Sequence, residues 1–194
     1  KIQWPGRCTV YPPAPADTGL GIVASAEALD DLGIDALSDL AAALEEGQDG
    51  VVVSVSRAEV PLDPAGLAAL AEAADTPLRR RAFVGVPQDR LLALTEEGTF
   101  CPFALVDRLD PELADAEVEF LADDLGAFVA QNPAVTIRED TFALAPGLED
   151  LFAPVSERID TDTLRALAAQ VSEEGAPPRE VARAWLVDEE LVLG

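Results

Sequence analysis

Residues able to do acid–base or covalent chemistry are scarce in this chain of 194 residues, which contains no histidine and two cysteines, Cys8 and Cys101. Without histidine, the usual general base and the commonest zinc ligand are both absent. The two cysteines do not have the spacing of a metal-binding motif. The adjacent acids Asp123 and Asp124 would diverge on a strand or a helix, so we expect them in a solvated loop rather than in a catalytic pair.

The sequence also lacks the phosphate-binding loops G-x-x-x-x-G-K-S and G-x-G-x-x-G, and GLGIVAS is only a glycine-containing strand. We therefore expect no catalytic residues, no metal site, no cofactor and no enzyme activity. The chemistry that remains is non-covalent binding. The cysteines leave two alternatives open, which are a disulfide between Cys8 and Cys101, as would suit an extracytoplasmic protein, and two buried thiols.

The charge is strongly acidic, with 37 Asp and Glu against 13 Lys and Arg and a net charge of −24. Such a chain would repel phosphates, so nucleic acid is excluded as a partner. The acidic surface is interpreted as that of a high-GC or salt-adapted proteome, and a field that attracts cations is the alternative. No apolar run approaches the ~20 residues that cross a bilayer. The sequence therefore predicts no membrane-spanning segment.

The elements that must position a binding site alternate between strands and helices. After the short β-like piece CTVY, the predicted strands are LGIVAS, GVVVSVS, RRAFVGV, TFCPFALVD and VEFLA. The predicted helices between them are AEALDDLG, ending at Gly33, SDLAAALEEG, with Ser38 as N-cap and Gly47 as stop, DPAGLAALAEAAD and PQDRLLALTEEG. This alternation predicts an α/β block with a parallel sheet between roughly residues 20 and 135.

A helical section follows from Thr141 onward, with predicted helices in PGLEDLFAPVSERI, DTDTLRALAAQVSEEG and the tail PPREVARAWLVDEE. In the tail, Val181, Ala182, Trp185 and Leu186 repeat at helical spacing, which predicts an apolar face that docks elsewhere. Extended connectors near residues 10–24 and 125–138 bracket the α/β block. A lobe entered by one connector and left by another is typical of two-lobed hinge proteins, which hold their ligand between the lobes.

Four stretches resemble one known family: PPAPADTGLGIVAS, IDALSDLAAAL, EVPLDPAGLAAL and IDTDTLRALAAQVSEEGAPPREVARAWL. In order and spacing the chain resembles the glycine betaine, carnitine and choline substrate-binding proteins of osmoprotectant ABC transporters. The resemblance implies an α/β fold of the type II periplasmic-binding-protein class, in which the tail helices pack back onto the first lobe with Trp185 as a core anchor. The chain begins just before the first crossover, so most of the first lobe is expected to be missing.

The implied organisation has three parts. Residues 1–19 are the remainder of the first lobe and the first crossover, residues 20–132 the α/β second lobe, and residues 133–194 the second crossover with the closing helices of the first lobe. The implied function is the extracytoplasmic solute-binding component of an ABC transporter for quaternary amines or related osmoprotectants. Its partners would be a small solute, with cations among the candidates, and a transporter permease, at a lipid-anchored cell surface or in the periplasm.

The ligand-site residues of the family are not retained at the aligned positions. Such proteins hold a quaternary ammonium among aromatic rings, because a methylated cation donates no hydrogen bonds. The two crossover tyrosines fall on Leu20 and Gln131, the carboxylate-binding arginine falls on Asp63, and the next aspartate falls on Ala65. Replacing an arginine clamp by Asp63 reverses its charge. The resemblance therefore implies a cation without a carboxylate, or a site that no longer binds.

Of the remaining candidates for ligand contact, Tyr11 and Phe128 lie near the two crossovers in the sequence. The aromatic candidates are Tyr11, Phe103 and Phe128, for which ordinary packing is the alternative. The polar candidates are Arg57, Asp63, Gln131, Asn132 and Arg138, together with Asp17 and Thr18, for which a turn or capping role is the alternative. A second function stays open: a degenerate binding-protein scaffold that serves as an interaction or sensory domain without small-molecule binding.

Overall fold

The computed structural model describes residues 2–4, 8–56, 65–77, 83–98 and 100–193. The chain divides into two compact units, here called unit 1 (residues 1–18 and 131–194) and unit 2 (residues 19–130). The sequence analysis placed these boundaries after residues 19 and 132. Within the described residues, no helix combines the length and the apolar character needed to cross a membrane.

Unit 2 is built on a five-stranded sheet flanked by helices. Its strands are β3 (Leu20–Ser25), β4 (Val53–Ser56), β5 (Phe83–Val86), β6 (Phe103–Asp107) and β7 (Val118–Phe120). Its helices are α1 (Ala26–Leu32), α2 (Leu37–Glu46), α3 (Ala65–Ala73) and α4 (Leu91–Glu97), with short 3₁₀ turns at Gln88–Arg90 and Pro111–Ala114. These elements follow the predicted alternation.

The sheet is mixed, which corrects the prediction of a parallel sheet. The strand order is β5-β4-β6-β3-β7. Strand β4 runs parallel to β5 and β6, whereas β3 runs antiparallel to both β6 and β7. A helical crossover favours a parallel pair only when it joins two neighbouring strands, as α3 joins β4 and β5. Because β3 pairs with strands that do not follow it directly in the chain, the alternation could not give its direction.

Both faces of this sheet are covered. On one face, Ile22 and Ala24 of β3 pack with Phe103 and with the apolar stripe of α2, whose buried residues include Leu37, Leu40, Ala41 and Leu44. On the other face, Val23 packs with Ala104 and Val106 of β6 and with Leu91 and Leu92 of α4. Successive residues of a strand face opposite sides, so an uninterrupted apolar run such as LGIVAS suits a sheet buried on both faces.

The helix ends of unit 2 follow local signals, with one correction. Helix α1 is capped by Ser25, whose side chain accepts from Ala28 N, and ends at Gly33 with φ 64°. Helix α2 ends at Gly47 as predicted, but its N-cap is Ala36 rather than Ser38. The helix begins earlier because Leu37 is buried and the Asp39 carboxylate accepts the Ala36 N–H at 3.2 Å.

Unit 1 joins a small sheet to four helices. Its strands β1 (Ile2–Trp4), β2 (Cys8–Val10) and β8 (Thr136–Arg138) form an antiparallel sheet in the order β1-β2-β8. Its helices are α5 (Glu139–Leu144), α6 (Leu148–Arg158), α7 (Thr161–Ser172) and α8 (Pro178–Asp188). Cys8 of β2 is half-buried and Cys101 of unit 2 is buried, and both are free thiols. Burial raises the pKa of the Cys101 thiol.

Few side chains of unit 1 are fully buried. Helices α5, α6 and α7 contain no fully buried residue, and α8 contains one, Val181. On the predicted apolar face of α8, Trp185 and Leu186 are half-buried and Ala182 is exposed. Val181 is therefore the buried anchor of this helix, and the core role expected for Trp185 is only partly met. Helix α8 packs on α7.

Candidate functional site

The two crossover segments lie side by side in unit 1. Backbone hydrogen bonds join Tyr11 N to Val135 O at 3.0 Å, Ala14 N to Pro133 O at 2.8 Å, and Thr18 N to Gln131 O at 2.9 Å. Prolines at positions 12, 13, 15 and 133 keep these segments extended, because each fixes its own φ and disfavours helix in the residue before it. The sequence therefore stiffens the chain where it passes between the units.

Four predicted site residues, Asp17, Thr18, Gln131 and Asn132, meet here, and we call them the crossover clasp. The Asp17 carboxylate accepts from Gln131 N at 2.9 Å. The Thr18 hydroxyl donates to Gln131 O at 2.8 Å, and the Asn132 amide donates to Ala16 O at 2.7 Å. These contacts tie one crossover to the other through side chains as well as backbone. The side chains of Gln131 and Asn132 also expose surface to solvent.

Sequence reasoning missed a fifth member of this network, Thr161. Its hydroxyl accepts the Asp17 N–H at 2.8 Å and donates to Asp17 O at 3.3 Å, and both contacts are partly buried. Nearby, Ala16 N donates to Ile159 O at 3.0 Å. Thr161 is the first residue of α7, and the local sequence indicated only a helix start there. The clasp is thus hydrogen-bonded to the first residue of helix α7.

The start of α7 is also capped. The Asp160 side chain accepts from Thr163 N at 2.8 Å, and this hydrogen bond lowers the pKa of Asp160 below its ordinary value. A carboxylate at this position also complements the positive end of the helix dipole. The cap holds the first turn of α7, and with it Thr161, in place beside the first crossover.

The three aromatic candidates have different surroundings. Tyr11 in unit 1 is buried, and its ring centroid lies 6.2 Å from that of Phe142. In unit 2, Phe103 is 0% exposed and packs at the centre of the hydrophobic core. This is the ordinary packing role that the sequence analysis gave as the alternative to ligand contact. Phe128 packs partly buried against the same core, and its N–H donates to Asp123 at 2.9 Å.

The charged candidates are less informative. Arg57 and Asp63 lie outside the described residues. Arg138 is exposed and forms an ion pair with Asp140 at 2.7 Å, which raises the pKa of the arginine and lowers that of the aspartate. Asp123 and Asp124 each accept backbone N–H groups, Asp124 from Ser38 at 3.1 Å. Over the described residues, no three His, Cys, Asp or Glu side chains are grouped so as to hold a metal ion.

The fold is that of the type II periplasmic binding proteins, as the resemblance implied. The unliganded YehZ protein of Escherichia coli superposes with a TM-score of 0.75 at 22% identity, over 97% of this chain and 68% of that one. The structure of a glycine betaine/carnitine/choline ABC transporter protein superposes with a TM-score of 0.76 at 13% identity, over 96% of this chain and 66% of that one.

The sequence similarity points to one family within that fold. Residues 104–188 match the family described as the substrate-binding domain of the ABC-type glycine betaine transport system. The glycine-betaine-binding protein of Pseudomonas aeruginosa is 34% identical over 83 residues, which is 43% of this chain and 27% of that protein. The resemblance to osmoprotectant-binding proteins is therefore confirmed for the part of the chain that runs from β6 to α8.

Proposed function

We propose that the protein is the solute-binding component of an ABC transporter for quaternary amines or related osmoprotectants. The observation that carries this proposal is the family match over residues 104–188. It includes the second crossover, with Gln131 and Asn132 of the clasp, and the four helices α5 to α8 of unit 1 beyond it. The fold supports the same conclusion, since the solved proteins that superpose on this chain include a glycine betaine/carnitine/choline transport protein. The role is one of binding without catalysis.

The solute class that we propose is a cation without a carboxylate. Asp63 occupies the position of an arginine that would pair with the betaine carboxylate, so its own charge would attract an ammonium instead. Contacts would come from Asp63, Arg57, the clasp and the aromatic candidates Tyr11, Phe103 and Phe128. Of these rings, Tyr11 and Phe128 suit the role better than Phe103, because the ring of Phe103 has no exposed surface.

The first experiment is a thermal-shift screen against choline, betaine, carnitine, proline betaine, ectoine and polyamines. A ligand present at a hundred times its Kd stabilises the folded state by about 2.7 kcal/mol. We expect a rise in melting temperature with a cationic solute that has no carboxylate. Asp63→Asn should then lower the affinity for that solute. Asp49→Asn, which removes an exposed charge of unit 2, should leave the affinity unchanged. Equal affinities of the two variants would refute the role of Asp63.

A second function is supported by a specific observation. The positions aligned with the crossover tyrosines carry Leu20 and Gln131, neither of which offers an aromatic face to a methylated cation. A scaffold that keeps the fold and acts as an interaction or sensory domain would show this pattern. It predicts a cooperatively folded protein whose melting temperature no solute in the screen changes.

We also propose the location and the partner that such a role requires. The protein would work outside the cytoplasm, at a lipid-anchored cell surface or in a periplasm, and would deliver its solute to a membrane permease. The free state of both cysteines is compatible with this location but does not argue for it. Solute uptake by cells that carry or lack the protein, measured with the labelled solute found in the screen, tests the transport step.

A further inference from the structure

One edge of the sheet in unit 2 carries polar residues that the sequence analysis did not name. Strand β4 runs parallel to β5 and β6, and β3 runs antiparallel to β6 with Leu20 opposite Asp107. The carboxyl ends of β4, β5 and β6 and the start of β3 therefore lie at the same edge of the sheet. The first crossover enters unit 2 at this edge, where Gly19 O accepts the Arg108 N–H at 2.9 Å.

The connections that leave this edge diverge. Helix α3, which follows β4, packs Leu70 into the core cluster on one face of the sheet. Helix α4, which follows β5, packs Leu91 and Leu92 into the cluster on the other face. In open α/β sheets, ligands typically bind outside the carboxyl ends of the strands at such a divergence. The carboxyl ends of β4 and β5 therefore mark the place in unit 2 where a solute is expected.

Two polar side chains meet at this place. Gln88 lies two residues after β5 and Asp110 three residues after β6, and the Gln88 amide nitrogen donates to Asp110 Oδ2 at 3.1 Å. Because β4 lies between β5 and β6, this hydrogen bond joins the loops on either side of the carboxyl end of β4. Strand β4 ends at Ser56, and the residues that follow it in the sequence include the site candidates Arg57 and Asp63, which lie outside the described residues.

The pair of Gln88 and Asp110 presents hydrogen-bond acceptors. Asp110 is half-buried, and its Oδ1 accepts from Glu112 N at 3.1 Å while its Oδ2 accepts from Gln88. A carboxylate has about four lone-pair sites, so each oxygen can accept one further hydrogen bond. The Gln88 amide nitrogen is engaged with Asp110, which leaves the amide oxygen as an additional acceptor. A solute that contacts the pair must therefore carry N–H or O–H donors.

The charge at this edge favours a cation. Among the described residues, no arginine or lysine forms an ion pair with Asp110. Arg108 is engaged on the side of β3 and β7, because its Nε donates to Leu20 O at 3.2 Å and its guanidinium carbon lies 4.6 Å from the centroid of the Phe120 ring. The loops after β5 and β6 together carry more acids than bases, namely Asp89, Asp110 and Glu112 against Arg90 and Arg108.

We propose that Gln88 and Asp110 make the solute site specific for a protonated primary amine. This inference rests on the proposed function and narrows the solute class given there, a cation without a carboxylate. A protonated amine donates N–H groups to both acceptors, whereas a fully methylated ammonium has no N–H to donate. Leu20 and Gln131 at the aligned tyrosine positions agree with this class, because a cation held by acceptors does not depend on aromatic faces.

The test compares putrescine with 1,4-bis(trimethylammonio)butane, which has the same charge and carbon chain but no N–H. Binding of each to the full chain is measured by isothermal titration calorimetry in about 0.15 M NaCl, which screens exposed charges beyond about 8 Å. We expect putrescine to bind at least about tenfold more tightly than the methylated analogue. The ratio of the two dissociation constants should fall below about threefold in Gln88→Met, which leaves the charge unchanged, and in Asp110→Asn.

The matched control is Asp115→Asn, which removes an exposed charge of unit 2 and should keep the parent ratio. Asp110→Asn retains a side-chain oxygen that can accept from Glu112 N, so the melting temperature without ligand should stay close to that of the parent. Because a size effect of the methyl groups would be the same in all variants, a loss of the ratio in Gln88→Met and Asp110→Asn alone assigns the preference to the pair.

Each other outcome overturns the inference in a distinguishable way. Equal binding of the two ligands by the parent would overturn the amine class, and a ratio that survives in both Gln88→Met and Asp110→Asn would overturn the role of the pair. A parent that binds neither ligand but responds to another solute in the thermal-shift screen would refute this inference and leave the transport function standing. If no solute in the screen binds either, the proposed function fails as well.

Discussion

The hydroxyl of Thr161 provides the sharpest test of the clasp. Thr161→Val removes this hydroxyl but keeps a β-branched side chain of nearly the same shape at the start of α7. The hydroxyl makes two hydrogen bonds to Asp17, a short one of 2.8 Å from the amide and a long one of 3.3 Å to the carbonyl. A typical intramolecular hydrogen bond contributes about 0.5 to 1.5 kcal/mol to stability, and the longer bond belongs at the low end.

The expected cost of Thr161→Val is about 1.5 kcal/mol in the free energy of unfolding of unit 1. The Asp17 N–H is only partly buried, so water can replace part of the lost bond and keep the cost below the value of about 3 kcal/mol for a fully buried orphan. With a urea m-value of about 2 kcal/mol/M, the unfolding midpoint should fall by roughly 0.7 M.

Tryptophan fluorescence reports this change for unit 1 alone. The chain has two tryptophans, Trp4 and Trp185, and both belong to unit 1. The matched control is Thr161→Ser, which keeps the hydroxyl and should keep most of the stability. A midpoint for Thr161→Val equal to that of the parent would refute the reasoning. So would an equal loss in both variants, because Thr161→Ser keeps the hydroxyl and should therefore keep its hydrogen bonds.

Three further predictions concern single side chains. Phe103→Ala should lower the free energy of unfolding of unit 2 by about 3 to 5 kcal/mol, because the ring is fully buried. Phe100→Ala should lower it little, because Phe100 is 65% exposed. Urea unfolding followed by far-UV circular dichroism measures both variants. Gly21→Ala should cost about 1 to 3 kcal/mol, since its Cβ would lie 2.8 Å from the Phe120 ring, and Phe120→Leu should recover part of that loss in the same assay. Asp160→Ala should cost unit 1 about 1 kcal/mol at pH 7. Folding lowers the pKa of Asp160, so the difference in unfolding free energy between the parent and Asp160→Ala should be complete above a pH of about 4. It should vanish as the pH falls through the folded pKa. Urea unfolding followed by tryptophan fluorescence at a series of pH values measures this.

Local signals were sufficient for most elements. The run LGIVAS is β3 over the same six residues, and helix α1 follows it and ends at the predicted Gly33. These predictions succeed because a β-branched run, a serine N-cap and a left-handed glycine act within a few residues of the element that they define. The start of α2 was wrong because burial of Leu37 outweighed the capping preference of Ser38.

The candidate site was predicted less completely. The resemblance drew attention to Asp17, Thr18, Gln131 and Asn132, and the structure brings these four together. It gave no reason to name Thr161, which lies 144 positions from Asp17 in the chain. The aromatic candidates separate in the structure, with Phe103 in the core of unit 2 and Tyr11 buried in unit 1.

By itself, the sequence determined most of the elements, the acidic charge and the fold class, because these depend on neighbouring residues, on composition and on the order of recognisable segments. Tertiary structure decided the direction of β3 and the partner of Thr161. Each of these depends on which distant segments meet, and the free energy that selects such meetings comes from burial and hydrogen bonding summed over the whole unit rather than from any short stretch of chain.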